Sequence, residues 1–339
     1  MSFLKSSLSV IITRMIKYCY FNGEIIKPAE FNFTETFDYS EEKIEEGFKM
    51  ELRDYQLRSV NWMKSVEDIE ETDHNTIVLN EDFRIKFKLG ETSVIICNPI
   101  VKEKFHGGIL ADDTGSGKTI TALALIHTHK FTLELQEERQ KRFPDFFKYN
   151  QSRASCIICP SNIYEQWKSE AERCNPDFKI AGLSSIPECE SYSVEDIINA
   201  DIVIVSYQLL QNPSYIKYRG KLSISQFHFH RLILDECHEL ESRRLSLTRK
   251  YLAKIRADYH WGLTGTPRTD DFFDQLRTLK LNERFLSFYE VSPNVKRDFE
   301  RKFIKRNVPD LKLPEIEHET IYPYFSWSSN RLGLEKFPF

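Results

Sequence analysis

The chain has 339 residues, a formal net charge of −4, and 41% hydrophobic and 13% aromatic residues. Such a composition can build a packed core, which excludes a disordered tail or a low-complexity linker. The slightly acidic balance excludes a global attraction to nucleic acid, so any such binding needs a local basic face. The length allows one large α/β domain with insertions or two smaller ones. Seven cysteines, an odd number without framework spacing, point to a reducing compartment. Cys156 and Cys159 form a CxxC inside the apolar run SCIICP. With no second ligand pair at matching spacing they read as buried strand thiols rather than a zinc site.

In chain order, residues 1–21 carry Lys5, Arg14 and Lys17 among serines, with no acid before Glu24. They read as a segment packed on the domain, with a mitochondrial leader as the alternative. Residues 1–47 form a lead-in. Residues 52–63, LRDYQLRSVNWM, place Leu52, Tyr55, Val60 and Met63 at helical spacings. The β-forming runs TIVL, FRIKFKL and SVIICNP predict a small β-insert over 76–106. A short apolar run then enters a glycine turn, GGILADDTGSGKT at 107–119, and a helix over 119–129. Residues 130–151 read as a helical insertion and 211–225 as a surface insertion. Strands are expected at 154–160, 178–183, 201–207, 231–236 and 259–267, and helices at 162–174, 194–200, 243–257 and 272–281. Residues 291–339 read as a connector, with IEHETIYPY as a strand. Apolar strands that do not alternate, separated by helices, imply a mostly parallel sheet covered on both faces. The ligand of such a sheet lies beyond the carboxyl ends of its strands.

Strand, glycine turn, Lys-Thr and helix is the layout of a phosphate-binding loop. Gly115 and Gly117 let successive backbone N–H groups converge, with Asp112, Asp113, Thr114 and Ser116 as the rest of the turn. The helix start adds its positive dipole end. Lys118 would reach the β- and γ-phosphates, and the Thr119 hydroxyl would ligate Mg²⁺. One departure is visible: the full GxxxxGK[ST] pattern has glycine where this chain has Asp112. Downstream, the apolar run LIL delivers Asp235 and Glu236 to a strand end. Phosphoanhydride hydrolysis needs such a pair, Asp235 on the metal and Glu236 as general base on the attacking water. The run LTGTP offers Thr264 and Thr266 as hydroxyls able to bond those acids.

The stretches LRDYQLRSVNWM, GGILADDTGSGKT, CIICPSNIYEQWKSE, DIVIVSYQLL, LILDECHEL and WGLTGTP follow one another in that order. As an ordered set they resemble the N-terminal RecA-like lobe of the Swi/Snf-type helicase-like ATPases of helicase superfamily two. The β-insert and the run GGILAD are most similar to the post-replication-repair branch. Cys237 stands where alanine is usual, and Thr114 and Ser116 replace a usual Met and Leu.

The resemblance implies a P-loop lobe over 48–290 that hydrolyses ATP with Mg²⁺ and moves along double-stranded DNA. It implies that Gln56 reads the adenine edge, with Arg53 near the nucleotide. His238, Thr264, Gly265 and Thr266 would couple the nucleotide to the DNA side. Pro160, Ser161, Ser206 and Tyr207 would touch the DNA backbone. Basic stretches at 243–256 and 296–306 could add phosphate contacts. Trp167 reads as core. A second RecA-like lobe, which carries the arginine fingers of the family, is expected as a partner, so slow hydrolysis is expected of this lobe alone. The expected compartment is the nucleus, or a viral or cytoplasmic DNA compartment. Rival readings are a DNA or RNA helicase of the same superfamily, or a half-motor that binds without hydrolysing.

Overall fold

The computed structural model describes residues 44, 46–79, 84–89, 92–97, 101–217, 222–241, 245–266, 279 and 293–307. All of them fall in one compact unit that runs to Val308. Helix α1 (Asp54–Val66) turns Tyr55, Val60, Trp62, Met63 and Val66 inward, so three of the four positions read from the sequence lie on its buried face, while Leu52 precedes the helix and is half-buried. Four short strands occupy the stretch of the expected β-insert: β1 (Thr76–Leu79), β2 (Arg84–Leu89), β3 (Thr92–Cys97) and β4 (Val101–Lys104). β1 pairs with β4 and β2 with β3, both antiparallel.

β5 (Gly107–Leu110) runs through the glycine turn into α2 (Lys118–Thr128), which buries every residue from Thr121 to His127. In the insertion, α3 (Leu133–Arg142) is capped by the Thr132 hydroxyl, which accepts from the Leu135 N–H, and it buries only Leu135 and Arg139. β6 (Asn150–Gln151) and β7 (Ser155–Cys159) precede α4 (Tyr164–Cys174), whose Tyr164, Trp167, Ala171 and Cys174 form the inner stripe. Then come β8 (Ile180–Leu183), α5 (Ile186–Ser191), α6 (Val194–Asn199), β9 (Ile202–Ser206), α7 (Tyr207–Gln211) and α8 (Pro213–Lys217). β10 (Phe227–Leu234), α9 (Ser246–Leu252), β11 (Arg256–Leu263), α10 (Pro293–Phe303) and β12 (Ile304–Lys305) complete the set.

The main sheet is eight-stranded, in the order β12-β5-β11-β10-β7-β9-β8, with β6 beside the start of β10. Every pairing in it is parallel. Helices flank it, and β7, β9 and β10 are buried along their whole length. The doubly covered parallel sheet expected from non-alternating apolar runs is therefore the observed one. Cys156 and Cys159 are buried thiols in β7.

Three expectations are corrected. The basic helix expected over 243–257 is only α9, because residues from Arg256 onward pair with β10 instead. β10 begins at Phe227 rather than 231, since Phe227 and Phe229 are core and the intervening His228 finds a buried acid. The stretch 211–225 is not all surface: Tyr215, Leu222 and Ile224 are buried, and the Tyr215 hydroxyl accepts from the Ile224 N–H at 3.2 Å. Three isolated apolar residues carry no periodicity, so their burial left no pattern to read. The expected strand IEHETIYPY, the helix at 272–281 apart from buried Leu279, and the lead-in before residue 44 lie outside the described residues.

Candidate active site

Register brings the distant motifs together. β5, β11, β10 and β7 are consecutive neighbours, with Leu110 beside Leu263, and Leu234 beside both Gly262 and Ile158. The residues that follow, 111–119, 264–266, 235–238 and 160–163, therefore leave the sheet side by side at its carboxyl edge.

The loop from Ala111 to Gly117 has Gly115 at φ 83° and Gly117 at φ 82°, a left-handed conformation that L side chains rarely adopt. A Cβ on Gly117 would also lie 2.5 Å from Gln56 Nε2. The Lys118 ammonium folds back on the loop and donates to the carbonyls of Asp112 (2.8 Å) and Asp113 (3.0 Å). Thr119 is half-buried on the first turn of α2. Gln56 lies under the loop, where its Nε2 is 3.3 Å from the carbonyls of Ser116 and Gly117 and its Oε1 accepts from the Arg53 N–H. Gln56 is thus buried against the loop, whereas the Arg53 residue is exposed.

Asp235 is 5% exposed, and both oxygens are engaged: Oδ2 by the Trp167 indole N–H at 2.7 Å and Oδ1 by the Glu236 N–H at 2.9 Å. Burial pushes its carboxyl up to about 6. The Glu236 charge adds to the rise, against the Trp167 and Glu236 hydrogen bonds and the Lys118 charge. Among the described residues Glu236 is the one non-glycine with positive φ, 47°, at the sharp turn off β10. That turn sends its carboxylate toward the end of β11: the Gly265 N–H lies 3.5 Å from Glu236 Oε2. His238 Nδ1 sits between Glu236 Oε2 (3.3 Å) and Thr264 Oγ1 (3.0 Å), and the Thr266 N–H donates to the same Thr264 hydroxyl.

Gly265 is where the halves meet. A Cβ there would lie 2.4 Å from Thr114 Oγ1 and 3.4 Å from Lys118 Nζ. The lysine, the loop hydroxyl and the acid thus converge on one backbone position, where a side chain would have to displace the Thr114 hydroxyl. An adjoining cleft of about 270 Å³ is lined by Thr114, Glu236, His238, Glu239 and Thr266 on one side and by Pro160, Asn162 and Ile163 on the other.

The residues expected to touch DNA fare unequally. Ser161 is exposed beside this cleft. Ser206 and Tyr207 are buried, and their polar atoms are used inside. The Ser206 hydroxyl caps α7, and the Tyr207 hydroxyl donates to the Asp235 carbonyl at 2.5 Å. The Tyr207 side chain braces the acid-bearing turn and the Ser206 side chain the start of α7.

Asp112, expected as a nucleotide contact, has its carboxylate turned away. It is 1% exposed and accepts from the Asn307 N–H (2.7 Å) and from Asn307 Nδ2 (3.0 Å to each oxygen). Asp113 pairs with Arg306 at 2.9 Å. Asn307 was not singled out in the sequence, and Arg306, read as the end of a basic stretch that could contact phosphate, instead pairs with Asp113. Trp167 is core as expected, but its N–H bond to Asp235 was missed. So was the Tyr55 hydroxyl, which donates to the Ser116 carbonyl at 2.6 Å. The last could have been found, since Tyr55 precedes Gln56 on the same helix.

The arrangement fits a metal-bound triphosphate. The two positive-φ glycines open the loop, and nothing lies within 4 Å of a Cβ built on Gly115. The buried Ser116 Oγ has no hydrogen-bond partner, and the Lys118 ammonium and the Glu236 carboxylate both approach Gly265, with Asp235 preceding Glu236 at the same turn.

The SNF2-related domain family matches residues 55–307. The chain is 26% identical over 363 residues to the DNA repair protein RAD5 of Gibberella zeae, covering 87% of this chain and 31% of that protein. It is 30% identical over 304 residues to the DNA repair protein RAD5 of Kluyveromyces lactis, covering 69% and 26%. To the DNA repair protein rad8 of Schizosaccharomyces pombe it is 26% identical over 274 residues, covering 69% and 23%. The chain therefore spans a third or less of the length of these relatives. Among solved structures, the Sulfolobus solfataricus SWI2/SNF2 ATPase core in complex with dsDNA is similar at 17% identity and a TM-score of 0.48, covering 77% of this chain and 45% of that one. No helix among the described residues is long and apolar enough to cross a membrane. The matched region runs from Tyr55, which holds the phosphate-type loop from below, to Asn307, which clamps its first acid, and on that ground the chain belongs to the SNF2-related domain family.

Proposed function

We propose that this lobe binds Mg·ATP and is the nucleotide-binding half of a DNA-dependent ATPase that moves along double-stranded DNA in a repair setting in the nucleus. The observation that carries the reading is the convergence of Thr114, Lys118 and Glu236 on Gly265. Thr119 and Asp235 would hold the magnesium ion, whose charge, when bound, offsets that of the phosphate oxygens. Lys118 leaves the two loop carbonyls to meet the β- and γ-phosphates. The loop amides and the start of α2 cradle them. Glu236 accepts the proton of the attacking water, and His238, itself bonded to Thr264, holds its carboxylate in line. Gln56, seated under Gly117, is the candidate for the adenine edge, with Arg53 beside it. DNA contacts are assigned to the strand ends at Pro160 and Ser161 and to backbone groups near Ser206 and Tyr207.

Hydrolysis is proposed to be slow for this lobe alone, because an arginine finger from a second RecA-like lobe contributes about 10³–10⁵ in rate. The test is Mg·ATP binding and turnover with duplex DNA, single-stranded DNA or RNA, with and without a second lobe added in trans. Binding in all cases, with turnover raised by duplex DNA and by the second lobe, is expected. Stimulation by RNA alone would favour the helicase reading, and binding without turnover even with the second lobe would favour a half-motor.

A further inference from the structure

The phosphate-type loop carries an anion of its own next to the cation it needs. Asp112 stands where the GxxxxGK pattern has glycine, and Lys118 Nζ already rests on its backbone carbonyl at 2.8 Å. The carboxylate of the same residue feels the Lys118 charge, and it is almost fully buried, where an ion pair is weakly screened. Left free, it would compete with phosphate for Lys118. The structure does not leave it free. The segment after β12 delivers Asn307, whose N–H and side-chain amide occupy both carboxylate oxygens, and the Asn307 amide also bonds the Ser59 hydroxyl at 2.8 Å. The segment is itself anchored: the Ala111 N–H donates to the Lys305 carbonyl at 2.7 Å, and β12 runs parallel to β5.

We infer that Asn307 is a positioning residue of the nucleotide site: by sequestering the Asp112 carboxylate it keeps Lys118 available for the incoming phosphates. The inference rests on the proposed nucleotide reading. A neutral amide suits the task, because it satisfies both oxygens without adding to the Lys118 and Lys305 charges that already act on Asp112. Arg306 occupies Asp113 in a similar way, but that pair is half exposed and contributes little.

The test is a double-variant cycle read by calorimetric titration with Mg·ADP. Asn307→Ala should weaken binding by about tenfold, the scale of one lost charged hydrogen bond plus the competing ion pair. Asn307→Ala placed in the Asp112→Asn background should change binding by less than about threefold relative to Asp112→Asn alone, because the competing charge is gone. The exchange Asp112→Asn with Asn307→Asp should also bind within about threefold of Asp112→Asn. A merely structural Asn307 predicts equal losses in both backgrounds, and that result overturns the inference, as does Asn307→Ala binding within twofold of the native chain. Should Asn307→Ala not fold, the comparison within the Asp112→Asn background decides alone: a tenfold loss there sinks the inference. Failure of the underlying reading looks different, since the native chain would then not bind Mg·ADP, or Lys118→Ala would bind it equally well.

Discussion

Strands β10 and β11 handle charge in opposite ways at their two ends. Toward the amino-terminal ends, charge is buried and paired, although the His230 Nε2 has no hydrogen-bond partner. Asp258 takes Arg139 on both oxygens (2.6–2.9 Å), His228 Nε2 at 3.0 Å and His230 Nδ1 at 3.4 Å. Glu67 takes Arg231 in a bidentate pair (2.7 and 2.6 Å), His129 at 2.6 Å and the Trp261 N–H at 2.8 Å. Burial alone would raise both acids, yet the surrounding cations and hydrogen bonds hold each well below the ordinary carboxylate range. At the carboxyl ends of the same strands the balance is reversed. Asp235 is pushed up, Ser116 Oγ has no partner, and Lys118 leans on carbonyls that cannot neutralise it. Acids paired with buried cations resist change, whereas charges left short of a counter-charge can accept a ligand. The difference separates what holds this lobe together from what it is for.

The comparison breaks first, and by the largest amount, at Glu67. Glu67→Ala leaves Arg231 buried and unpaired, so chemical denaturation should show a loss of about 3–5 kcal/mol, while the folded fraction binds Mg·ADP as before. Unchanged stability would mean that the network is ornamental.

Acid should loosen the same end next. Burial, aided by the Arg231 charge, holds His230 down at about 4, and burial likewise lowers His228. The unfolded chain therefore takes up protons first as pH falls through about 6.5. Stability present above that pH is lost toward pH 4, on the order of 3 kcal/mol for His230. Melting temperatures measured across this window should fall with pH, and a flat profile would refute the assignment.

Lys118→Ala sharpens the contrast from the other side. It should cut Mg·ATP affinity by about 100-fold, and move stability by no more than about 0.5 kcal/mol. The smallest effect is expected at His238, which touches Glu236 and Thr264. His238→Ala should lower DNA-stimulated turnover by about tenfold with nucleotide affinity nearly unchanged. An equal loss in both would make it a binding residue instead.

Much of the carboxyl edge was legible because its signals are local. A glycine turn between strand and helix, two acids at the end of an apolar run, and a Thr-Gly-Thr turn each declare themselves within about ten residues. Parallel strands then carry all three to one edge. The amino-terminal networks were not legible. Arg231 read as the first residue of a strand and Arg139 as part of a charged insertion, and neither position says which acid it will meet. Ser206 and Tyr207 show the same limit: nothing local in a strand-end Ser-Tyr says that one hydroxyl will meet the Asp235 carbonyl and the other the start of the helix that follows.

By itself the sequence determined most of the alternating strands and helices between β5 and β11, the phosphate-type loop, the acid pair and the family they resemble, because backbone periodicity and turn chemistry are written over short spans. Only the tertiary structure decided which polar groups are spent and which are held in reserve. Asn307 meets Asp112 across 195 residues, Arg231 meets Glu67 across 164, and Trp167 meets Asp235 across 68. A buried charge must find its partner wherever packing brings one, and no rule of local spacing records where that will be.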